Sequence, residues 1–512
     1  MADSPMTEFG VQDLPGARVL VLGAGVAGAS AARYLLGRGA QVTVCDERAE
    51  SLAPLIERGA AGLGAADLDA DWPARTDLVI ASPGFRPDHA LPSAAAAAGV
   101  PVWGEVELAW HVDRSGEFGA PRRWLVVTGT NGKTTTTGMV ESICAAAGEQ
   151  VAACGNIGLP VLDALSVRTP SGPARMLAVE LSSFQLFWAP SIRPAAGVVL
   201  NIAEDHLDWH GSLEHYAAAK SIALRGDIAV VPVEDPIVAS MATPADTRRV
   251  EATSGEPAAG QVGVAGGAII DRAFAEPAGT VLVETAVIRP SGPSGLADAL
   301  AAATLCRAVG VPADAVDRGL RDFRVAAHRG EVVAVGAGLT FVDDSKATNP
   351  HAAQAAIAAH DRVVWLAGGQ LKGASVDELL VAVGDRLAGV VLFGVDAPLI
   401  ADSISRHAPY VPTVTVVTRD DGLVNAHQAS NPTGDRAASA VDVMSRAVQA
   451  AAELAGGPGG STATAGDGAQ GTVVLLAPAA ASFDMFAGYA QRGDMFAAAA
   501  QALPGISAGA RA

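Results

Sequence analysis

The chain has 512 residues, 50% of them hydrophobic, 4% aromatic and 17% charged, and its 35 Lys and Arg against 54 Asp and Glu leave a net charge of −19. So acidic a chain lacks the basic face of a general nucleic-acid binder, and so apolar a chain is not globally disordered. At roughly 150 residues per domain the length points to about three domains.

The first 15 residues are polar, hold three acids and no Lys or Arg, and do not read as a signal peptide. The most apolar early run, 19–32, carries three glycines and falls short of the roughly 18 residues a membrane span needs. A soluble cytoplasmic protein without membrane partners is expected. Cys45, Cys144, Cys154 and Cys306 are scattered with no CxxC pair, so neither a zinc site nor a disulfide framework is indicated.

In chain order, apolar runs at 18–22, 41–45 and 77–80 read as buried strands, with a helical stretch from 24 to 36 between the first two. Residues 117–122, with Gly and Pro, read as a linker. A second block has strands at 124–127, 176–179 and 197–200. A third begins near Arg324, with strands at 339–342, 362–366, 389–393 and 472–476. Strand alternating with helix implies an α/β fold built on parallel sheets. Residues 456–471, rich in Gly with Ala and Thr, read as a flexible low-complexity loop.

Three motifs carry chemistry. Thr128-Gly129-Thr130-Asn131-Gly132-Lys133-Thr134-Thr135 follows a strand and opens a helix, the context of a phosphate-binding loop. Backbone N–H groups would cradle phosphate oxygens, Lys133 would bridge the terminal phosphates, and the Thr134 hydroxyl would hold Mg²⁺. The strict pattern asks for Gly at 127, where this chain has Val127. Gly23-Ala24-Gly25-Val26-Ala27-Gly28 has the dinucleotide-turn spacing, and Asp46 ends the next strand. By itself it fits NAD, FAD, any other nucleotide, or a tight turn with no ligand. Thirdly, Glu180 and His206 stand at the ends of successive strands downstream of the phosphate loop, where parallel sheets line their ligand crevice. Asn156 sits in a Gly-flanked turn and is as easily a turn-former as a ligand-binder.

Taken together, the run 128–136, Gly155-Asn156-Ile157-Gly158, Glu180-Leu181-Ser182-Ser183-Phe184-Gln185 and Glu204-Asp205-His206-Leu207-Asp208 resemble the Mur ligases. Asp343-Asp344-Ser345-Lys346-Ala347-Thr348-Asn349, Gly368-Gly369, Lys372 and the run 477–486 resemble the members that add D-glutamate. The likeness spans about 18–503. It implies three α/β domains: a Rossmann-like UDP-binding domain at 1–118, a central P-loop ATPase-type domain at 119–325, and a Rossmann-like amino-acid-binding domain at 326–512. It implies an ATP-dependent ligase joining D-glutamate to UDP-N-acetylmuramoyl-L-alanine in cytoplasmic peptidoglycan precursor synthesis, through an acyl phosphate, acting as a monomer. The nearest alternative is a sister ligase adding a different amino acid. An oxidoreductase built on residues 23–28 leaves the phosphate loop unexplained, and a nucleotide-binding protein without ligase activity leaves the set Lys133, Glu180, His206 and Lys220 unexplained.

The same resemblance assigns roles. Gly129, Thr130, Asn131, Gly132, Lys133, Thr134 and Thr135 would bind ATP, with Arg329, Asp344 and Lys346. Lys133, Glu180, His206 and Lys220 would be catalytic. Thr134, Glu180, His206 and Lys220 would hold two Mg²⁺ ions, Lys220 as a carbamate. Val26, Ala27, Asp46, Arg48 and Gly84 would meet the UDP moiety. Asn156, Ser182 and Gln185 would also contact substrate, and Thr348, Lys372, Ser482, Phe483 and Tyr489 would meet D-glutamate. Closure of the domains is expected during turnover. The chain departs from the family at Ser294-Gly295-Leu296-Ala297-Asp298, where many members carry His-Asn and a further Asn. Asp298 is the nearest substitute for those asparagine contacts to ATP. Residues 233–293 match the family loosely.

Overall fold

The computed structural model describes residues 9–170, 172–275, 278–416, 434–456 and 471–509. The low-complexity stretch 457–470 lies outside the described residues. The chain divides into two compact units, one of residues 1–288 and 297–323, the other of residues 289–296 and 324–512. The first unit contains two large sheets and the second contains one.

The first sheet has five parallel strands in the order Ala61–Leu63, Gln41–Cys45, Arg18–Leu22, Leu78–Ala81, Val102–Trp103. Val19, Val21, Leu22, Val44 and the whole strand Leu78–Ala81 are buried, as covering both faces with helices requires. The strand order reverses beside Arg18–Leu22, which opens the ligand crevice at the ends carrying Gly23 and Ser82.

The second sheet centres on Arg123–Thr128, flanked by Met176–Glu180 and Ala196–Val199. It continues on one side to Val151–Gly155 and on the other through Ile228–Pro232, Arg248–Thr253 and Gln261–Ala265. Two antiparallel strands, Ala268–Asp271 and Thr280–Glu284, close it. The loosely matched region 233–293 therefore folds largely as sheet edge. The expected linker at 117–122 is anchored at its end. Arg122 is buried and pairs with Asp113 at 3.1 Å, while the Trp124 indole donates to the same carboxylate at 3.0 Å.

In the second unit, Leu339–Asp343, Thr472–Leu476, Val363–Gly368, Leu387–Phe393 and Thr413–Thr415 run parallel in that spatial order. Glu331–Gly336 and Ile506–Ala508 add antiparallel strands beside Leu339–Asp343. Trp365, Phe341, Phe393 and Phe496 fill the core around this sheet. Among the described residues no helix is long and apolar enough to cross a membrane.

Candidate active site

The phosphate loop leaves the buried strand Arg123–Thr128 and enters the helix Lys133–Ala146 at Gly132, whose φ of 85° is left-handed. That φ favours glycine, and so does the space, because a Cβ there would overlap the Asp298 carboxylate. The loop is held from the neighbouring strand end. Asn201 accepts the Asn131 N–H at 2.8 Å through its side-chain oxygen, and the Asn201 carbonyl accepts the Thr130 N–H at 2.9 Å. The Thr130 hydroxyl lies 3.0 Å from the Tyr216 hydroxyl. Lys133 donates to the carbonyls of Gly129 and Thr130 at 2.9 and 2.8 Å, folding back over the loop.

Three expected chemical groups gather here. Glu180, ending the strand Met176–Glu180, is buried; its Oε1 accepts from Asn156 at 2.9 Å, and its Oε2 has no hydrogen-bond partner. Lys220, on the helix Leu213–Ser221, is fully buried and donates to the Gly129 carbonyl at 2.8 Å and to the Thr128 hydroxyl at 3.3 Å. Burial, then repulsion from Lys133, pulls its pKa well below the usual lysine value, which favours the neutral amine. His206 has a left-handed φ of 54°, packs against Phe184 with the rings tilted and their centroids 4.7 Å apart, and lies 3.5 Å from Asp205. Burial lowers its pKa against the pull of Asp205. Among the described residues no cluster of three or more His, Cys, Asp or Glu is arranged to hold a metal ion. The orphaned buried Glu180 oxygen near Lys220 would fit a cation all the same if that lysine carried an anionic adduct.

Ser182 and Gln185 are engaged with each other. Ser182 accepts the Gln185 N–H at 3.2 Å, and Gln185 Oε1 accepts the Ser182 N–H at 3.0 Å, a capping box for the helix Ser183–Phe187.

At the dinucleotide-type turn, Asp46 accepts the N–H of Ala24 at 2.7 Å and of Arg48 at 2.9 Å. Burial raises its pKa, but these donors and the Arg48 guanidinium prevail and hold it low. The carboxylate thus fixes the turn. Val26 is 73% exposed at its mouth, and Ala27, Arg48 and Gly84 line the same strand ends.

In the second unit Lys346 lies 4.0 Å over the Tyr489 ring, and Ser345 donates to the Tyr489 carbonyl at 2.8 Å. Burial pushes the neighbouring Asp344 up to about 7, against the pull of Arg329. Ser482 is buried, Phe483 is 67% exposed, and Lys372 is exposed with a left-handed φ of 54°. The Thr348 N–H donates to the Lys346 carbonyl at 2.8 Å.

Set beside known proteins, the chain matches three family descriptions in order. They are the Mur ligase MurD-like N-terminal domain at 17–104, the Mur ligase middle domain at 127–264, and the Mur ligase glutamate ligase domain at 328–479. It is 52% identical over 502 residues to the UDP-N-acetylmuramoylalanine–D-glutamate ligase of Mycolicibacterium smegmatis, covering 96% of this chain and 98% of that one. It is 54% identical to the ligase of the same name from Rhodococcus jostii, covering 95% of each. The chain belongs to the Mur ligase family. A solved Mur ligase, MurF from Thermotoga maritima in complex with ADP, shares the fold at a TM-score of 0.50 and 17% identity, over 95% of this chain and 98% of that one.

Within this Mur ligase, sequence reasoning gave no role to several residues that build the site. Asn201 and Tyr216 brace the phosphate loop, and Asn201 could have been suspected from its place just past a strand. Arg492 is fully buried and donates to Ser345 Oγ at 2.9 Å, to the Ser345 carbonyl at 2.8 Å and to the Ala480 carbonyl at 3.0 Å. It ties together segments that follow two adjacent strands, a task that the family resemblance at Arg492-Gly493 did not assign to it. His328, 2.7 Å from Asp343, was likewise unmarked.

Proposed function

We propose that this chain joins D-glutamate to UDP-N-acetylmuramoyl-L-alanine at the expense of ATP. The observation that carries the reading is near-full-length identity of 52–54% to D-glutamate ligases, with the family's phosphate loop, Glu180, His206 and Lys220 all in one unit. The substrate carboxylate attacks the γ-phosphorus of ATP and ADP leaves. The amine of D-glutamate then attacks the acyl carbon, phosphate leaves and the amide forms with loss of a proton. A carboxylate must approach a polyanion, so cations aimed at the transferring group do most of the work.

Lys133 unfolds from the Gly129 and Thr130 carbonyls onto the phosphates, while Gly129 to Thr135 supply backbone N–H donors. Thr134 and the free Glu180 oxygen would hold one Mg²⁺, and His206 and Lys220 a second, and such ions would supply neutralising charge for the phosphates. The neutral Lys220 amine is the form that adds CO₂ to become a carbamate, an oxygen ligand suited to a hard cation. Asn156 keeps Glu180 turned towards the loop. The turn at Gly23 to Gly28, with Val26, Ala27, Arg48 and Gly84, takes the UDP moiety, and Asp46 shapes it. Arg329, Asp344 and Lys346 contact ATP; Thr348, Lys372, Ser482, Phe483 and Tyr489 contact D-glutamate. Domain boundaries fall near 118 and 325, and the enzyme is a cytoplasmic monomer.

The deciding assay is phosphate release with UDP-N-acetylmuramoyl-L-alanine, ATP, Mg²⁺ and a panel of amino acids. Release with D-glutamate alone is expected. Release with meso-diaminopimelate or L-lysine instead would sink the reading. Lys133→Ala should abolish release while the melting temperature holds; retained turnover would refute the phosphate-loop role.

A further inference from the structure

Asp298 lies where the resemblance sets a family asparagine against ATP, yet its surroundings give it another task. It is buried at 7% exposure on the helix Pro293–Ala308. Its Oδ1 accepts the hydroxyl of Thr136 at 3.1 Å. The same oxygen is packed so closely against the Gly132 α-carbon that no Cβ fits between them. Thr136 is itself fully buried, on the side of the helix Lys133–Ala146 that faces the protein interior. A carboxylate bonded to that hydroxyl stands behind the phosphate loop. The first turn of a helix presents unsatisfied N–H groups and a positive dipole end, so an anion is stable there without a ligand.

We propose that Asp298 is a positioning residue that acts through Gly132 and Thr136 to hold the phosphate loop in its binding shape, and that it does not read the adenine base. Replacing the family's asparagine by aspartate is then explained by the charge. The carboxylate bonds to the first turn more strongly than an amide oxygen does, and its Oδ1 is taken up by Thr136 and the close approach to Gly132. The proposal rests on the reading that this loop binds ATP.

The test separates loop from base. ATP carries both, whereas inorganic tripolyphosphate carries only the phosphates and is expected to compete with ATP. For Asp298→Ala we expect the KM for ATP and the inhibition constant of tripolyphosphate to rise together, each about tenfold, with Asp298→Asn restoring most of both because it keeps an oxygen for Thr136. A rise for ATP alone would place Asp298 on the base and overturn the proposal, and so would no change in either. If Asp298→Ala fails to fold, Thr136→Val removes the other end of the same bond and is read the same way. Failure of the underlying reading looks different: Lys133→Ala would keep its turnover, and tripolyphosphate would not inhibit the unmodified enzyme at all.

Discussion

Lys220 shows how far a residue's chemistry depends on what surrounds it. The sequence alone makes it a surface lysine on an alanine-rich helix. In the fold its amine is buried against the Gly129 carbonyl, and burial pulls its pKa well below the usual lysine value. If it carries a carbamate, labelled bicarbonate should give a carbonyl ¹³C signal that Lys220→Gln lacks; an unlabelled wild-type enzyme at full activity would refute this. Glu105 is the opposite case. Burial raises its carboxyl from 4.5 to about 7, although its Oε1 accepts the Leu162 N–H at 2.6 Å. The folded state thus holds a proton that the unfolded chain has released, and stability present at low pH is lost as pH rises from about 4.5 through 7. At pH 8 the loss is of order 3 kcal/mol at most, taking ~1.36 kcal/mol per pH unit. Glu105→Gln keeps the acceptor without the charge. It should raise the melting temperature at pH 8, and the gain should shrink as the pH is lowered to 5. An equal gain at both pH values would show that ionisation is not the cause.

At the scale of elements, the glycines of the first turn separate by job. Gly23 has a φ of 91°, and a Cβ on Gly28 would run into the Gly23 carbonyl, so both serve the fold. Gly25 has an ordinary φ and open space around its Cβ position. Its lack of a side chain is therefore left for the approach of a ligand. Gly28→Ala should lose about 1–3 kcal/mol of stability through overpacking. Gly25→Ala should melt like the parent yet raise the KM for the UDP substrate several-fold. An unchanged KM would mean the pyrophosphate does not approach this turn. The spacing Gly-x-Gly-x-x-Gly was legible in the sequence; which glycine does what was not, because that depends on Ser82 and the Gly23 carbonyl closing in from elsewhere. Strands followed the same division. Apolar runs such as Arg18–Leu22 and Thr472–Leu476 announced themselves because they are buried on both faces. The strands between Ile228 and Glu284 did not, since several are half-exposed and broken by Gly and Pro turns. Asp298 was marked as a departure and as the nearest substitute for an asparagine contact to ATP, whereas its bond to Thr136 behind the phosphate loop joins residues 162 positions apart.

For the whole molecule the question is charge. A net charge of −19 repels a nucleotide and a UDP-sugar, so under the proposed function attraction would have to come from local cations, for which Lys133, Arg329, Lys346, Lys372 and magnesium are the candidates. The two contributions answer differently to salt. The overall field acts on an approaching anion from a distance, and at about 10 mM ionic strength it reaches roughly 30 Å, against about 10 Å at 0.1 M. Contacts made inside a partly buried loop are screened much less. Raising monovalent salt from 10 to 100 mM at constant free Mg²⁺ should therefore raise kcat/KM for UDP-N-acetylmuramoyl-L-alanine, by less than about tenfold, through a faster encounter. A basic anion-binding protein behaves the other way. If kcat/KM instead falls steadily over that range, exposed ion pairs such as one to Lys372 dominate binding, and the repelling surface has no kinetic consequence.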